Sequence, residues 1–350
     1  MMNFMSKAKV LRYFLLVAIL AAAVTAFYYY LESRSLIKPR QYLFFPPTDR
    51  QVNDAAAIAA APTFITKAAV VSPNLSEDGQ AVWYFDKTTD NLYRQSLLRS
   101  SSISKYSLPA HDPVESALWP RFGSSFILNT SRGRFLYEAS VGEFIPYSDN
   151  VVFIDWLPGR NHVAYVAKEE KGAALFTAEP NLNSFKRVAA LAQASFRFAA
   201  GPDAKTFALY VPNAKENVYL VIDGIGALEK ILADEIVDSV LFSPEGGQFA
   251  LISLQNGGRR LQIFDLKTRL FVWPESPQVT GGLAWSADGQ TIYWSDGESI
   301  KKADVASGQV ADILPSGQKL AAAELMFSGD GRTLYFVEQK TRRFGQILLE

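Results

Sequence analysis

Imidazole is the side chain that titrates near neutrality without help, so the chain's two histidines are the first candidates for acid–base chemistry. His111 stands in LPAHDPVES beside Asp112, a base with a carboxylate next to it that could orient the ring; His162 stands in GRNHVAYVA. Hydrolytic use of such a pair also needs a nucleophile. No G-x-S-x-G elbow occurs, and there is no cysteine, which removes thiol nucleophiles, disulfides, iron–sulfur clusters and thiolate zinc sites together. His111–Asp112 therefore reads as a solvated loop, and His162 as a turn or edge residue opening an alternating strand. No catalytic, cofactor-binding or metal-ligating residue is assigned, and no enzymatic activity is expected.

Other chemistry-bearing patterns resolve into turns. Acids at alternate positions before a glycine, as calcium loops require, are absent; Glu77-Asp78, Asp288 and Asp330 are better explained by turn hydrogen bonds. Trp285-Ser286-Ala287-Asp288-Gly289 superficially resembles the sialidase Asp box, S-x-D-x-G-x-x-W. Here, however, Gly289 directly follows Asp288 and Trp294 falls at a different offset. Gly224-Ile225-Gly226 follows a strand, but Glu229 stands where the third glycine of a dinucleotide loop belongs, so it too is a turn. The basic groups Lys186-Arg187, Arg259-Arg260, Lys301-Lys302 and Lys340 to Arg343 are expected to be solvated surface.

Composition narrows the classes further. The 350 residues carry 35 Lys+Arg and 35 Asp+Glu, a net charge of zero, which argues against electrostatic capture of nucleic acid. An apolar share of 49% supplies a core, and a charged share of 20% is too low for a mostly disordered chain.

Tyr13 to Leu31 reads YFLLVAILAAAVTAFYYYL, without charge or proline. As a helix this run spans about 28 Å at ~1.5 Å per residue, close to the ~30 Å of a bilayer's hydrocarbon core. Phe27 to Tyr30 place aromatic rings at headgroup level. The expectation is a cytoplasmic basic tail over residues 1–12, with Lys7, Lys9 and Arg12, and a transmembrane signal anchor over 13–31. Everything beyond would be exported from the cytoplasmic membrane, into the periplasm if the source is Gram-negative. Cleavage after Val24-Thr25-Ala26 is the alternative, giving a soluble secreted protein. A linker follows over 32–66, broken by Pro39, Pro46 and Pro47, with a short helix or a flexible spacer after Asp54.

Over residues 67–350 one pattern recurs: an apolar strand ending in an aromatic, a Ser/Pro/Asp/Gly turn, then an alternating strand. LFSPEGGQFALIS (Leu241 to Ser253), AWSADGQTIYWS (Ala284 to Ser295) and MFSGDGRTLYFVE (Met326 to Glu338) are the clear copies. Weaker ones begin at Val70, Ala117, Ile154 and Phe198. With Val71, Trp119, Trp156, Phe198, Phe242, Trp285 and Phe327 as anchors the steps are 48, 37, 42, 44, 43 and 42 residues. Such periods in β-rich sequence mark propeller blades. The expectation is an all-β propeller of about seven four-stranded blades, six to eight being compatible with the degenerate copies. The alternating strand, as in Thr291-Ile292-Tyr293-Trp294, is expected to bury one face and wet the other. Asn256-Gly257-Gly258 signals a hairpin.

SPNLSEDG, FSPEGGQ, WSADGQ and FSGDGR, each before a hydrophobic-x-aromatic strand, resemble TolB-type and WD-repeat-like propeller repeats over about four fifths of the chain. The resemblance implies a ring with a central channel and protein-binding faces, and no particular reaction. The last copy shows three strands before the chain reaches Glu350, so a fourth is expected from upstream, from Tyr42 to Phe45 or Thr63 to Thr66. The function expected is a membrane-anchored scaffold whose partners are other envelope or membrane proteins, without cofactor. The alternative is a ligand-binding or hydrolytic site at the channel mouth.

Overall fold

The computed structural model describes residues 61–98, 102–109, 111–120, 124–255, 257–273 and 277–349. All belong to the unit Ala57–Glu350. The span Tyr13 to Leu31, the basic tail before it, the stretch after Asp54 as far as residue 60, and the candidate strand Tyr42 to Phe45 lie outside them. Among the described residues no helix is long and apolar enough to cross a membrane.

Those residues form an all-β propeller. The chain enters through β1 (Thr63–Phe64) and then builds four-stranded antiparallel meanders. The first holds β2 (Val70–Leu75), β3 (Ala81–Asp86), β4 (Leu92–Ser96) and β5 (Ile103–Tyr106). The second holds β6 (Val114–Leu118), β7 (Phe126–Thr130), β8 (Gly133–Glu138) and β9 (Glu143–Pro146). The third holds β10 (Val151–Trp156), β11 (Val163–Lys168), β12 (Ala173–Ala178) and β13 (Phe185–Leu191).

A seven-stranded sheet follows: β14 (Arg197–Ala200), β15 (Thr206–Tyr210), β16 (Lys215–Ile222), β17 (Glu229–Phe242), β18 (Gln248–Gln255), β19 (Gly258–Asp265) and β20 (Leu270–Phe271). Then come β21 (Leu283–Trp285), β22 (Thr291–Ser295), β23 (Ile300–Asp304) and β24 (Val310–Asp312) as one sheet. The last contains β25 (Ala322–Phe327), β26 (Thr333–Glu338) and β27 (Phe344–Leu348), with β1 added outside β27.

Five sheets are thus discrete four-stranded blades, where about seven were expected. The difference lies in β17. Its first half pairs with β16, from Lys215↔Ile236 to Leu220↔Glu229, and its second half pairs with β18, from Val237↔Ser253 to Phe242↔Phe249. No glycine or proline interrupts Glu229 to Phe242, so nothing in the chain ends the strand between the two pairings. Elsewhere Pro109 and Pro113, or Pro315 and Gly317, separate one sheet from the next.

The register also moves two anchors. Trp156 opposes Val163, Phe242 opposes Phe249, Trp285 opposes Ile292 and Phe327 opposes Leu334. The residues at this place in the first sheet and in the β14–β15 pair are Leu75, opposite Val82, and Ala200, opposite Phe207. Val71 and Phe198 are buried apolar residues at other positions of their strands. The turn, and not the nearest large apolar residue, fixes register.

The alternating strands are buried on both faces, contrary to expectation. Ile292, Tyr293, Trp294 and Ser295 are all buried, as are Phe207 to Tyr210 and Leu334 to Val337. A second strand is flanked by strands of its own sheet and covered above and below by neighbouring sheets, so it has no wet side. Exposure moves outward, and β5 is exposed at all four positions.

The turns follow the expected chemistry. Ser286 Oγ donates to Asp288 Oδ1 (2.6 Å) and also contacts Thr291 O (3.0 Å), while accepting from Thr291 N–H (2.9 Å). Asp288 Oδ1 accepts from Gln290 N–H (3.0 Å). Ser76 with Asp78 and Ser328 with Asp330 repeat this arrangement. Closure uses Thr63–Phe64, paired with Gln346 and Gly345. Ile65 and Thr66 N–H both reach Phe344 O (2.9 and 3.1 Å), Thr66 Oγ1 accepts from Phe344 N–H (2.9 Å), and Arg343 lies 3.9 Å above the Phe64 ring.

Candidate functional site

The first strand of each meander lies innermost: β2 packs beside β6, β14 beside β17, and β21 beside β25. Five inner strands carry an irregularity, four at the same level and that of β2 nearer its turn. Register slips between Val71 and Asn74, Val114 and Ser116, Val151 and Phe153, Val237 and Ser239, and Ala322 and Glu324. A bulge adds a residue on one side of a ladder and re-aims its neighbours. Here it brings Glu115, Ser116, Phe153, Asp238 and Glu324 to the end of the ring where the inner strands begin. Arg197, the first residue of β14, stands at the same level: it opposes Tyr210 as Ser239 opposes Ile252 and Phe153 opposes Val166.

Of four arginines on this face, two are neutralised by carboxylates and two are not. Arg259, near the start of β19, pairs with Asp238 of the bulge and donates to Thr280 O (3.0 Å). Arg342, just before β27, pairs with Glu324 in the same way. Arg134, in β8 opposite Asn129, reaches across to the next sheet and donates to Val151 O at 2.7 Å. Arg197 sits over the Phe153 ring, 5.6 Å from its centroid, and Phe153 in turn meets Phe198 edge-on at 5.0 Å.

Below them lie Asp155 and Tyr210. Asp155 is packed round by the chain while retaining some contact with solvent. Burial raises its pKa to about 6, against the opposing hydrogen bond from Trp156 N–H (2.8 Å). Burial likewise pushes the Tyr210 hydroxyl up to about 12; Arg197 opposes the shift, and the carboxylates of Asp238 and Asp155 add to it. The arrangement offers fixed guanidinium donors, an aromatic base and an enclosed carboxylate, a set suited to recognising a polar, charged group.

The histidines are elsewhere. His111 Nδ1 meets the backbone oxygen of Asp112 (2.8 Å), and the ring stands edge-on to Phe85 and Phe144. The Asp112 carboxylate is directed to Arg132 Nε (3.2 Å). The loop is therefore half-buried and packed, where a solvated one was expected. A depression of about 160 Å³ beside it is bounded by Asp90, Asn91, Tyr106 and Ser107. His162 is exposed in the turn before β11, and its carbonyl accepts from Leu157 N–H. Gly224 and Gly226 form a turn with φ of 91° and 70°.

The basic groups are more engaged than plain solvated surface. Lys186 pairs with Asp223, Arg187 with Glu169, Arg259 with Asp238, Lys301 with Asp312 and Arg342 with Glu324. Their partners lie across strands or turns, which adjacency in sequence conceals. Sequence reasoning missed Arg134, Asp155, Arg197 and Tyr210. The signal that finds them is registration on the turn, which sets Asp155 level with Leu118, Ala199, Leu241 and Met326, the residues just inside the corresponding strand ends.

No protein-family model matches the chain, and no curated protein matches it. Among solved structures it is similar to the β-propeller domain of Myceliophteria thermophila Cps50 (Swd1). That likeness has a TM-score of 0.59 at 13% identity and covers 83% of this chain and 100% of that one. It is also similar to Kuenenia stuttgartiensis hydrazine synthase, with a TM-score of 0.59 at 11% identity, covering 81% of this chain and 96% of the other. At such identities the likeness is one of fold, and the fold is the β-propeller.

Proposed function

We propose that this chain is a membrane-anchored propeller that acts as a protein-interaction scaffold in an extracytoplasmic complex, without a reaction of its own. The observation that carries the reading is the conjunction of an uncharged 19-residue apolar run, Tyr13 to Leu31, with a ring closed by its own entering strand, Thr63–Phe64. A rigid ring presents loops on two faces, and an anchor confines those faces near membrane partners, raising their effective concentration. The ring is read as seven blades of the TolB-like kind, β17 serving as the outer strand of one blade and the inner strand of the next. Seven apolar clusters, each shared by consecutive blades including the pair that spans Tyr84 and Tyr335, support that count.

In-cell crosslinking of the full chain, followed by detergent extraction, tests the scaffold: complexes larger than the monomer are expected, and recovery of uncomplexed chain alone rejects it. The mass of the mature N-terminus distinguishes an anchor from cleavage at Ala26. A second reading, a ligand site at the channel mouth, is favoured by the enclosed Asp155 and the neighbouring Tyr210 and Arg197.

A further inference from the structure

Arg134 and Arg197 depart from the pattern of their neighbours. Arg259 and Arg342 are neutralised by the bulge carboxylates Asp238 and Glu324. Among the described residues neither Arg134 nor Arg197 pairs with a carboxylate. Arg134 is anchored by the Val151 carbonyl, and the exposed Arg197 lies over the face of Phe153. They approach the start of β10 from opposite sides, one from the preceding sheet and one from the following sheet. Arg134 is half-buried, and burial first, then the Arg197 charge, lowers its pKa. Two neighbouring like charges repel, and a bound anion relieves that repulsion.

We propose that Arg134 and Arg197, with Phe153 as the apolar floor between them, form a binding site for the carboxylate of an acidic peptide segment on a partner protein. Guanidinium forks match a planar carboxylate through paired N–H donors. Two neighbouring guanidinium charges without a carboxylate partner favour an anionic group. The ring-face position leaves room for an extended segment, and Tyr210 supplies a further polar edge beneath. The inference deepens the scaffold reading by naming the chemistry of the partner, and it does not depend on the anchor.

The test uses the full chain in detergent and a fluorescent acetylated hexaglutamate peptide, with hexalysine and inorganic phosphate as comparison probes. The glutamate peptide is expected to bind, hexalysine not to bind, and phosphate not to displace the peptide at equal concentration. R134Q and R197Q are each expected to weaken binding about tenfold, the loss of one charge-assisted pair, and the double variant to abolish it. R187Q, which removes a guanidinium paired with Glu169 away from this face, is expected to leave binding unchanged. Should the Gln variants unfold, R134K and R197K retain the charge and lose the fork, and weakened binding is expected of them too. The proposal is overturned if hexaglutamate does not bind, if it binds the double variant as well as the original chain, or if phosphate competes better than peptide. Crosslinked complexes recovered alongside absent peptide binding would reject this site while leaving the scaffold standing.

Discussion

The indole N–H of Trp156 donates to the carbonyl oxygen of Leu118 at 2.9 Å, bridging the inner strand of one sheet to that of the sheet before it. The same bond recurs from Trp119 to Ser72 O (2.7 Å) and from Trp285 to Leu241 O (3.2 Å). The anchor tryptophans are therefore seam fasteners as well as fillers, each offering an apolar body to the gap and a donor to a carbonyl on the inner strand of the sheet before it. Trp156→Phe keeps most of the body and removes the donor. A loss of about 1–3 kcal/mol is expected, read as a lower denaturant midpoint at unchanged slope. Trp285→Phe, several strands away, should add to it independently; strongly non-additive losses would mean that the bonds do not act seam by seam.

Closure of the ring depends on Thr66. Its hydroxyl receives the buried N–H of Phe344 while its own N–H and that of Ile65 share the Phe344 carbonyl. Thr66→Val preserves shape and leaves that amide without a partner, so a loss of about 1–3 kcal/mol is expected. Thermal melting in a single step at a lower temperature is the expected result. An unchanged melt would show that the Thr66 hydroxyl contributes nothing to holding the ring shut.

Gly281 stands where an added Cβ would lie 1.9 Å from the Ala322 carbonyl oxygen, and Gly282 donates to that same oxygen at 2.9 Å. Gly281→Ala forces two backbones apart at the seam between β21 and β25. The variant is expected to be markedly destabilised, by more than the ~1 kcal/mol typical of a substitution, and a glycine tolerant of alanine here would contradict the close approach.

Asp155 links stability to pH. Its folded pKa, about 6, lies above the ordinary value of 3.8, so the folded chain holds a proton that the unfolded chain has released between those values. Stability contributed by the neutral form is present below about pH 4 and lost as pH rises through about 6. Asp155→Asn should therefore stabilise the protein at pH 7, by on the order of 2 kcal/mol, and change little at pH 3.5. Asp78 and Asp330 run the other way, their serine hydrogen bonds holding them below the usual range. Their contribution is lost as the solution is acidified. Equal midpoints for Asp155→Asn and the original chain at pH 7 would show that burial there is relieved.

The repeat was legible because turn chemistry is local. Ser286, Asp288 and Gly289 determine their own loop within six residues, and every strong copy does likewise. The continuity of β17 was not legible, since a strand that simply continues leaves no mark in sequence. Nor was the candidate site. Arg134, Phe153 and Arg197 come from three different sheets, separated by 63 positions between the outer two, and meet only where those sheets pack side by side. Charge partners such as Asp238 and Arg259 were hidden for the same reason. Bulges follow from the packing of many strands at once, which no single segment encodes.

The strand that seals the ring is also the one through which the chain arrives. Two residue pairs, Thr63 with Gln346 and Phe64 with Gly345, therefore stand between any tension on the preceding polypeptide and the rest of the wheel. A pull from upstream would peel this short latch before loading the long continuous β17, so mechanical opening has a built-in starting point at the first-to-last joint.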